Sequence, residues 1–514
     1  MHLEAKRLTT KYRASKMFCS PVVNPNLYKA YGRQRRFTLM NAMPLKSFLR
    51  GAAIAACLLG LIQSPVSAQV PMEPEHARLL NGLRVLIASR PGDQDVLLKL
   101  RVHSGAAFDL AGKAGGMALL GDILFPDPTT HEFFTEEMQG RLNVTTDYDS
   151  LTITMLGRAR DFEHIVELLR TALVTTQLTP ENVAKVRDGR IKVLKETSIS
   201  PTMLADRAIA ARLFGDFPYG RPAGGSVESL ERVERTDLML ARDRFLSPNN
   251  ATLTVIGGVQ TNRAMRALRQ LLGVWRKNEQ VVPATFRQPA APDARPLIVN
   301  APADQSVEIR VAVRGFSRQD ADAPAASLLA IVARQRWIKL IPELARSPVS
   351  VRHDAFTLPG MFVMGASVDN VLAGKTLASA KEVMQSLASS PVTASELEQA
   401  RNELVTLANN QLAKPDGVAD AWLDGDTYAL PSVAERMRGL NTLSANDLQR
   451  VAIRLLGERA FASVVLGNSE VLKAQVERYG KVEVLGEITP KVDGTRPPKS
   501  VPNAKPPIMS PVKP

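Results

Sequence analysis

A pattern about 210 residues long occurs twice in this chain, and that repeat limits what the chain can fold into. "VLLKLRVHSGAAF" at 96–108 is matched by "SVEIRVAVRGF" at 306–316. "LTPENVAKVRDGRI" at 178–191 is matched by "VTASELEQARNELV" at 392–405. "VERTDLMLARDRFLSPNNATLTVIGG" is matched by "LSANDLQRVAIRLLGERAFASVVLGN". The offsets nearly agree: Arg187 to Arg401 is 214 residues, Asp237 to Asp447 is 210, and Gly257 to Gly467 is 210. A unit this long is no solenoid repeat. Two homologous α/β halves account for it, as does the length, since 514 residues exceed what one core can organise.

Local patterning fills in each half. "LLNGLRVLIAS" and "VLLKLRVHSG" read as strands around an Asn-Gly turn. Helical periodicity covers 115–125, 160–176, 180–197, 203–214 and 236–246, with Ile165, Leu168, Leu169 and Leu173 on one face of the second. "RLNVTTDYDSLTITMLG" and "NNATLTVIGGV" are strand-like. Residues 276–296, rich in Pro, Ala and charge, read as a linker. The stretch 489–514 holds eight prolines and five basic residues and is expected to be disordered.

The net charge of +14 suggests nucleic acid until it is located. Residues 1–50 contribute +10 and residues 490–514 contribute +4, which leaves the body neutral. A neutral body has no stripe of basic residues to track phosphates, so nucleic acid is set aside. The basic N-terminus reads instead as targeting. Lys46 and Arg50 precede an apolar run from Gly51 to Ile62, and Val66-Ser67-Ala68 precedes a cut after Ala68. The run of twelve residues is too short to span a bilayer of about 30 Å, so no stable membrane insertion is expected after cleavage. A lipid anchor at Cys57 and a twin-arginine signal at Arg35-Arg36 stay open as alternatives, and Met1, Met40 and Met43 are all candidate starts. Cys19 and Cys57 both precede the cut, so the mature chain has no disulfide and no thiolate chemistry.

Four stretches carry a resemblance. "LLNGLRVLI", "HSGAAFDLAGKAGGMALLGDILF", "FGDFPYGRPAGGSVESLERVERTDL" and "LSPNNATLTVIGGV" resemble the insulinase and mitochondrial-processing-peptidase family over about 79–470. The third is the most specific, through Pro218-Tyr219-Gly220-Arg221-Pro222 with Gly225 and Glu228-Ser229 after it. The resemblance implies an α+β fold of two homologous domains. Each would be an antiparallel sheet packed with helices, and the two would face each other as a clamshell.

In active members of that family the helix at "GGMALLGDILF" carries H-x-x-E-H, with a further glutamate downstream. Imidazoles at i and i+4 share a helix face and hold Zn²⁺, and the motif's own glutamate takes the proton of the metal-bound water. Aligned on the glycine-rich lead-in and Phe125, Ala118 and Asp122 stand at the histidine positions and Gly121 at the glutamate. Moving the register by one puts Leu119 and Ile123 there instead. Glu196 stands near the downstream glutamate, with a solvated glutamate on a charged helix as its other reading. No two of the six histidines lie within five residues of each other. In the second half, Arg346 stands for a substrate-holding arginine of non-zinc members, or is a surface charge. The tyrosine expected beside it is absent from Val349-Ser350-Val351, and the glycine-rich loop is absent from "LLAIVARQRWIKL".

The expected protein therefore has an extension and signal at 1–68, a peptidase-like domain at 69–275, a linker at 276–296, a second such domain at 297–488 and a tail at 489–514. It is expected in the periplasm or secreted, with no catalytic residue and no cofactor of its own. Its partners would be peptides and a zinc-bearing homologous subunit that supplies the chemistry. An independent peptide-binding or scaffolding protein of the same fold is the alternative.

Overall fold

The computed structural model describes residues 73–486, apart from 198, 280–285, 288, 302–305 and 458. The signal, Cys57, the cut after Ala68 and the tail at 489–514 lie outside the described residues. The first half contains β1 (Glu75–Arg78), β2 (Arg84–Ser89), β3 (Asp95–Val102), β4 (Arg141–Thr146), β5 (Leu151–Arg158) and β6 (Ala251–Gly257). Its longer helices are α1 (Gly116–Ile123), α2 (Phe162–Arg170), α3 (Pro180–Glu196), α4 (Pro201–Phe214), α5 (Arg235–Phe245) and α6 (Thr261–Leu272). The second half contains β7 (Leu297–Asn300), β8 (Ser306–Arg314), β9 (Val349–Asp354), β10 (Met361–Asp369), β11 (Ala462–Gly467) and β12 (Glu483–Leu485). Its longer helices are α7 (Ala323–Leu340), α8 (Ala373–Ser389), α9 (Ala394–Leu412), α10 (Pro415–Thr427), α11 (Val433–Thr442), α12 (Ala445–Leu456) and α13 (Ser469–Val476).

The two sheets have the same order, β1-β2-β6-β3-β5-β4 and β12-β7-β11-β8-β10-β9. The repeat in the sequence is thus a repeat in space, with β3 matching β8 and β6 matching β11. The outermost strands β1 and β12 come from opposite ends of their halves. Neither sheet is purely antiparallel as expected: β2 runs parallel to β6, and β7 runs parallel to both β11 and β12. The reason is the connection. Parallel neighbours need a long crossover, and β2 and β6 are joined through all of β3–β5 and α1–α5. The Asn81-Gly82 turn between β1 and β2 has Gly82 at φ +95°, where a Cβ would also lie 2.9 Å from that of Asn249.

Each sheet buries one face under helices of its own half. Val85, Ile87, Leu98 and Leu100 meet Phe162, Ile165, Leu268 and Leu272 in the first core, and Ile309, Val311 and Phe362 meet Leu329, Trp337 and Leu377 in the second. The other face is covered by the opposite half. α4 lays Ala205, Ile209, Leu213 and Phe214 on Leu297, Val299, Ala312 and Val464 of the second sheet. α10 lays Val418, Ala419 and Trp422 on Leu86, Leu97 and Ile256 of the first. Full burial of each such side chain stabilises by about 1.5–3 kcal/mol, so the exchange locks the halves together.

Candidate functional site

α1 is placed by glycines and by one carboxylate. Gly115 and Gly225 have φ +92° and +80°, and a Cβ on Gly115 would come within 2.8 Å of the Cα of Gly225. Only glycine lets the 222–225 turn pass so close to the start of the helix. Asp109 accepts hydrogen bonds from the backbone N–H groups of Gly115 and Met117, both at 2.7 Å. These are donors the first turn cannot satisfy itself. Burial raises the Asp109 carboxyl to about 6, against the lowering effect of these bonds and of Arg221.

The resulting helix turns Met117, Leu119, Leu120 and Ile123 into the core. Ala118 is buried and offers no donor atom. Gly121 rests on β4 and β5, where a Cβ would lie 3.0 Å from Val144 and 3.3 Å from Leu151. Asp122 is paired. Its Oδ2 accepts from Arg190 Nη1 at 2.6 Å, and Arg190 Nε donates to the carbonyl of Gly224 at 3.1 Å. The two side chains are 33% and 24% exposed. Arg190 therefore joins α1, α3 and the 222–225 turn at Asp122, the residue aligned with the second expected histidine.

Glu196 is not part of that contact. It lies six residues beyond Arg190, which is about 9 Å along the helix and about 120° around it. It is exposed and 3.8 Å from Lys192. A zinc ion would need three donors here, and the side chains present do not supply them: one has no polar atom, one is hydrogen, and one is neutralised by a guanidinium. Among the described residues, no group of three or more His, Cys, Asp or Glu side chains could hold a metal ion.

Two histidines, His103 and His353, are held within the fold. His103 is 11% exposed, with its ring nitrogens 3.0 Å from Arg84 Nη2 and from the hydroxyls of Thr252 and Thr427. Burial, aided by the charges of Arg84 and Arg101, lowers it to about 3. His353 Nε2 accepts from the backbone N–H of Phe316 at 3.0 Å, and burial lowers it to about 4. Arg346 ends the short turn Pro342–Arg346 ahead of β9 and is exposed. Among the described residues no hydrogen bond or ion pair joins it to α1 or α3.

Beside α1 lies a free strand edge. β4 pairs only with β5, and no strand among the described residues pairs with its outer side. Leu142, Val144 and Thr146 face inward, while Arg141, Asn143 and Thr145 are exposed.

Sequence reasoning did not single out Arg190. The available signal is its position: with Val183 and Val186 it falls on the inward stripe of α3, where a charge needs a partner. The partner is 68 residues away.

Residues 232–404 match the family model described as the peptidase M16 inactive domain. An uncharacterized zinc protease of Mycobacterium tuberculosis is 24% identical over 217 residues, covering 41% of this chain and 49% of that protein. Cytochrome b-c1 complex subunit 1, mitochondrial, of Mus musculus is 23% identical over 269 residues, covering 51% and 52%. The match thus spans about half the length of these relatives. The crystal structure of a peptidase M16 inactive domain from Pseudomonas fluorescens superposes with a TM-score of 0.67 at 17% identity, covering 77% of this chain and 98% of that one. The paired halves share the fold of that solved M16 domain, and residues 232–404 carry the match to the peptidase M16 inactive domain.

Proposed function

We propose that this chain is the non-catalytic subunit of an exported, two-chain peptidase assembly, in which a zinc-bearing homologue supplies the chemistry. One observation carries the reading: the position for a metal on α1 is taken by the Asp122–Arg190 pair, with Ala118 and Gly121 buried beside it. The chain carries no zinc of its own. The covered sheet faces support the need for a second chain. With α4 and α10 filling the space between the halves, a chamber large enough for a peptide needs a wall from elsewhere. The unpaired edge of β4 offers a peptide backbone hydrogen bonds that require no particular side chain. A relative named as a subunit of a larger complex fits such a role.

Elemental analysis and a peptide-library digest of the purified mature chain test the inert part. One zinc per chain, with cleavage that a chelator abolishes, overturns it. Co-purification from the native host, then digestion with and without this chain, tests the subunit part. If the chain is recovered alone and the zinc homologue is fully active without it, an independent peptide-binding protein replaces this reading. Export predicts a mature N-terminus at Gln69, read by N-terminal sequencing of fractionated cells. A start before residue 57, or lipid on Cys57, contradicts it.

A further inference from the structure

The two joints between the halves are built by the same repeat and differ in chemistry. α4 and α10 correspond, as do their carboxylates Asp206 and Asp420, which meet the matching basic residues Arg310 and Lys99. Beyond that pair the joints diverge. α4, "PTMLADRAIAARLF", contains no glycine and one acidic residue. It is sealed by Ile209, Leu213 and Phe214, with Phe217 and Tyr219 continuing the apolar layer, and two further ion pairs, Asp206–Arg352 and Arg212–Glu483, tie it to the second sheet.

α10, "PDGVADAWLDGDT", carries four aspartates, no basic residue, and two glycines, Gly417 and Gly425. Each glycine lowers helix propensity by about 1 kcal/mol relative to alanine. The four aspartates face four basic residues of the first sheet. Lys99 lies 3.3 Å from Asp416 and 2.9 Å from Asp420. Arg101 lies 3.2 Å from Asp420 and 2.6 Å from Asp424. Arg84 meets Asp426 at 2.9 Å, and Arg141 meets Asp416 at 2.5 Å. Lys99 and Arg101 are 6% and 10% exposed, but Asp416 and Asp420 are 36% and 47% exposed, so dissolved ions reach the acidic side.

We propose that α10 is an ionic clasp: the halves part at the joint between α10 and the first sheet, while α4 stays seated on the second sheet as the retained joint. Salt separates the two. Mobile ions screen charge pairs that water can reach, whereas apolar contacts keep or gain strength as salt is added. Local opening follows the weaker joint, so α10 exposes its amides ahead of α4, and the uncovered sheet presents a basic face.

Hydrogen–deuterium exchange of the full chain reads this directly, because α4 and α10 sit in one molecule and act as each other's control. Between about 50 mM and about 500 mM NaCl, exchange at 415–427 rises about tenfold while 201–214 changes less than about twofold. The Asp420→Asn/Asp424→Asn variant exchanges faster at 415–427 in low salt and loses most of its salt dependence, and Asp206→Asn leaves 415–427 unchanged. Equal salt sensitivity at both helices, or none at 415–427, overturns the proposal. Should the double variant fail to fold, the wild-type salt comparison decides alone.

Discussion

Asp122 is a carboxylate in an otherwise apolar turn, and Arg190 is what makes it tolerable. The pair is partly exposed, so water screens it and its net contribution is modest, about 1 kcal/mol. Asp122→Ala and Arg190→Met are each expected to lower stability by about 1 kcal/mol, and the double variant by little more than either single one. Urea melts of the three variants check this, and strictly additive losses would mean that the residues do not act as a pair. Arg346 is exposed, and among the described residues no hydrogen bond or ion pair joins it to α1 or α3. Arg346→Ala is therefore expected to reduce the activity of the reconstituted complex by about tenfold at most, or roughly 1.4 kcal/mol. At this scale the sequence already showed that Ala118 and Gly121 offer no donor atom. It did not reveal Arg190, because a charge on a helix stripe names no partner until α1 and α3 are side by side.

Among the elements, caps and buried titratable groups carry the testable detail. Asp109→Ala leaves two amides at the start of α1 unpaired and is expected to cost about 2 kcal/mol, read from the shift in unfolding midpoint. The pH response is a balance. His103 and His353 lie below their ordinary range, so the stability they contribute is full above about pH 6.5 and is lost as pH falls towards 3 or 4. Asp109 and Asp149 are both raised to about 6 by burial, so their contribution is present below about pH 3.8 and lost as pH rises through 6. Asp149 is held by the hydroxyls of Tyr219 and Tyr428 and the backbone N–H of Thr357, which tie both halves together. Between about pH 4.5 and 6 the two pairs oppose each other, and stability is expected to be nearly flat. Asp149→Asn removes one of the two acids from the balance. The variant is expected to lose about 1.4 kcal/mol of stability per pH unit on acidification across that window relative to wild type, measured by denaturant melts at stepped pH. Helices and strands were legible from periodicity and turn residues. The parallel pairing of β2 with β6 was not, because strand direction depends on the path of the 161 residues between Ser89 and Ala251.

For the whole molecule, the exchange of α4 and α10 means that neither half completes its own core. Residues 69–275 expressed alone lack α10 and leave Leu86, Leu97 and Ile256 uncovered together with Lys99 and Arg101. That fragment is expected to be aggregated or partly unfolded by exclusion chromatography and circular dichroism, and to be rescued by co-expression with 276–488. A soluble, cooperatively folding fragment would show that the exchange is dispensable. The sequence by itself determined the two-fold repeat and the kinds and order of most elements, along with the side chains that α1 carries. These follow from local periodicity and from side-chain chemistry that folding cannot add. The tertiary structure alone decided that Arg190 rather than Glu196 faces Asp122, and that each half lends a helix to the other's sheet. Both depend on surfaces brought together from far apart in the chain, where packing and charge matching, not local propensity, select the partner.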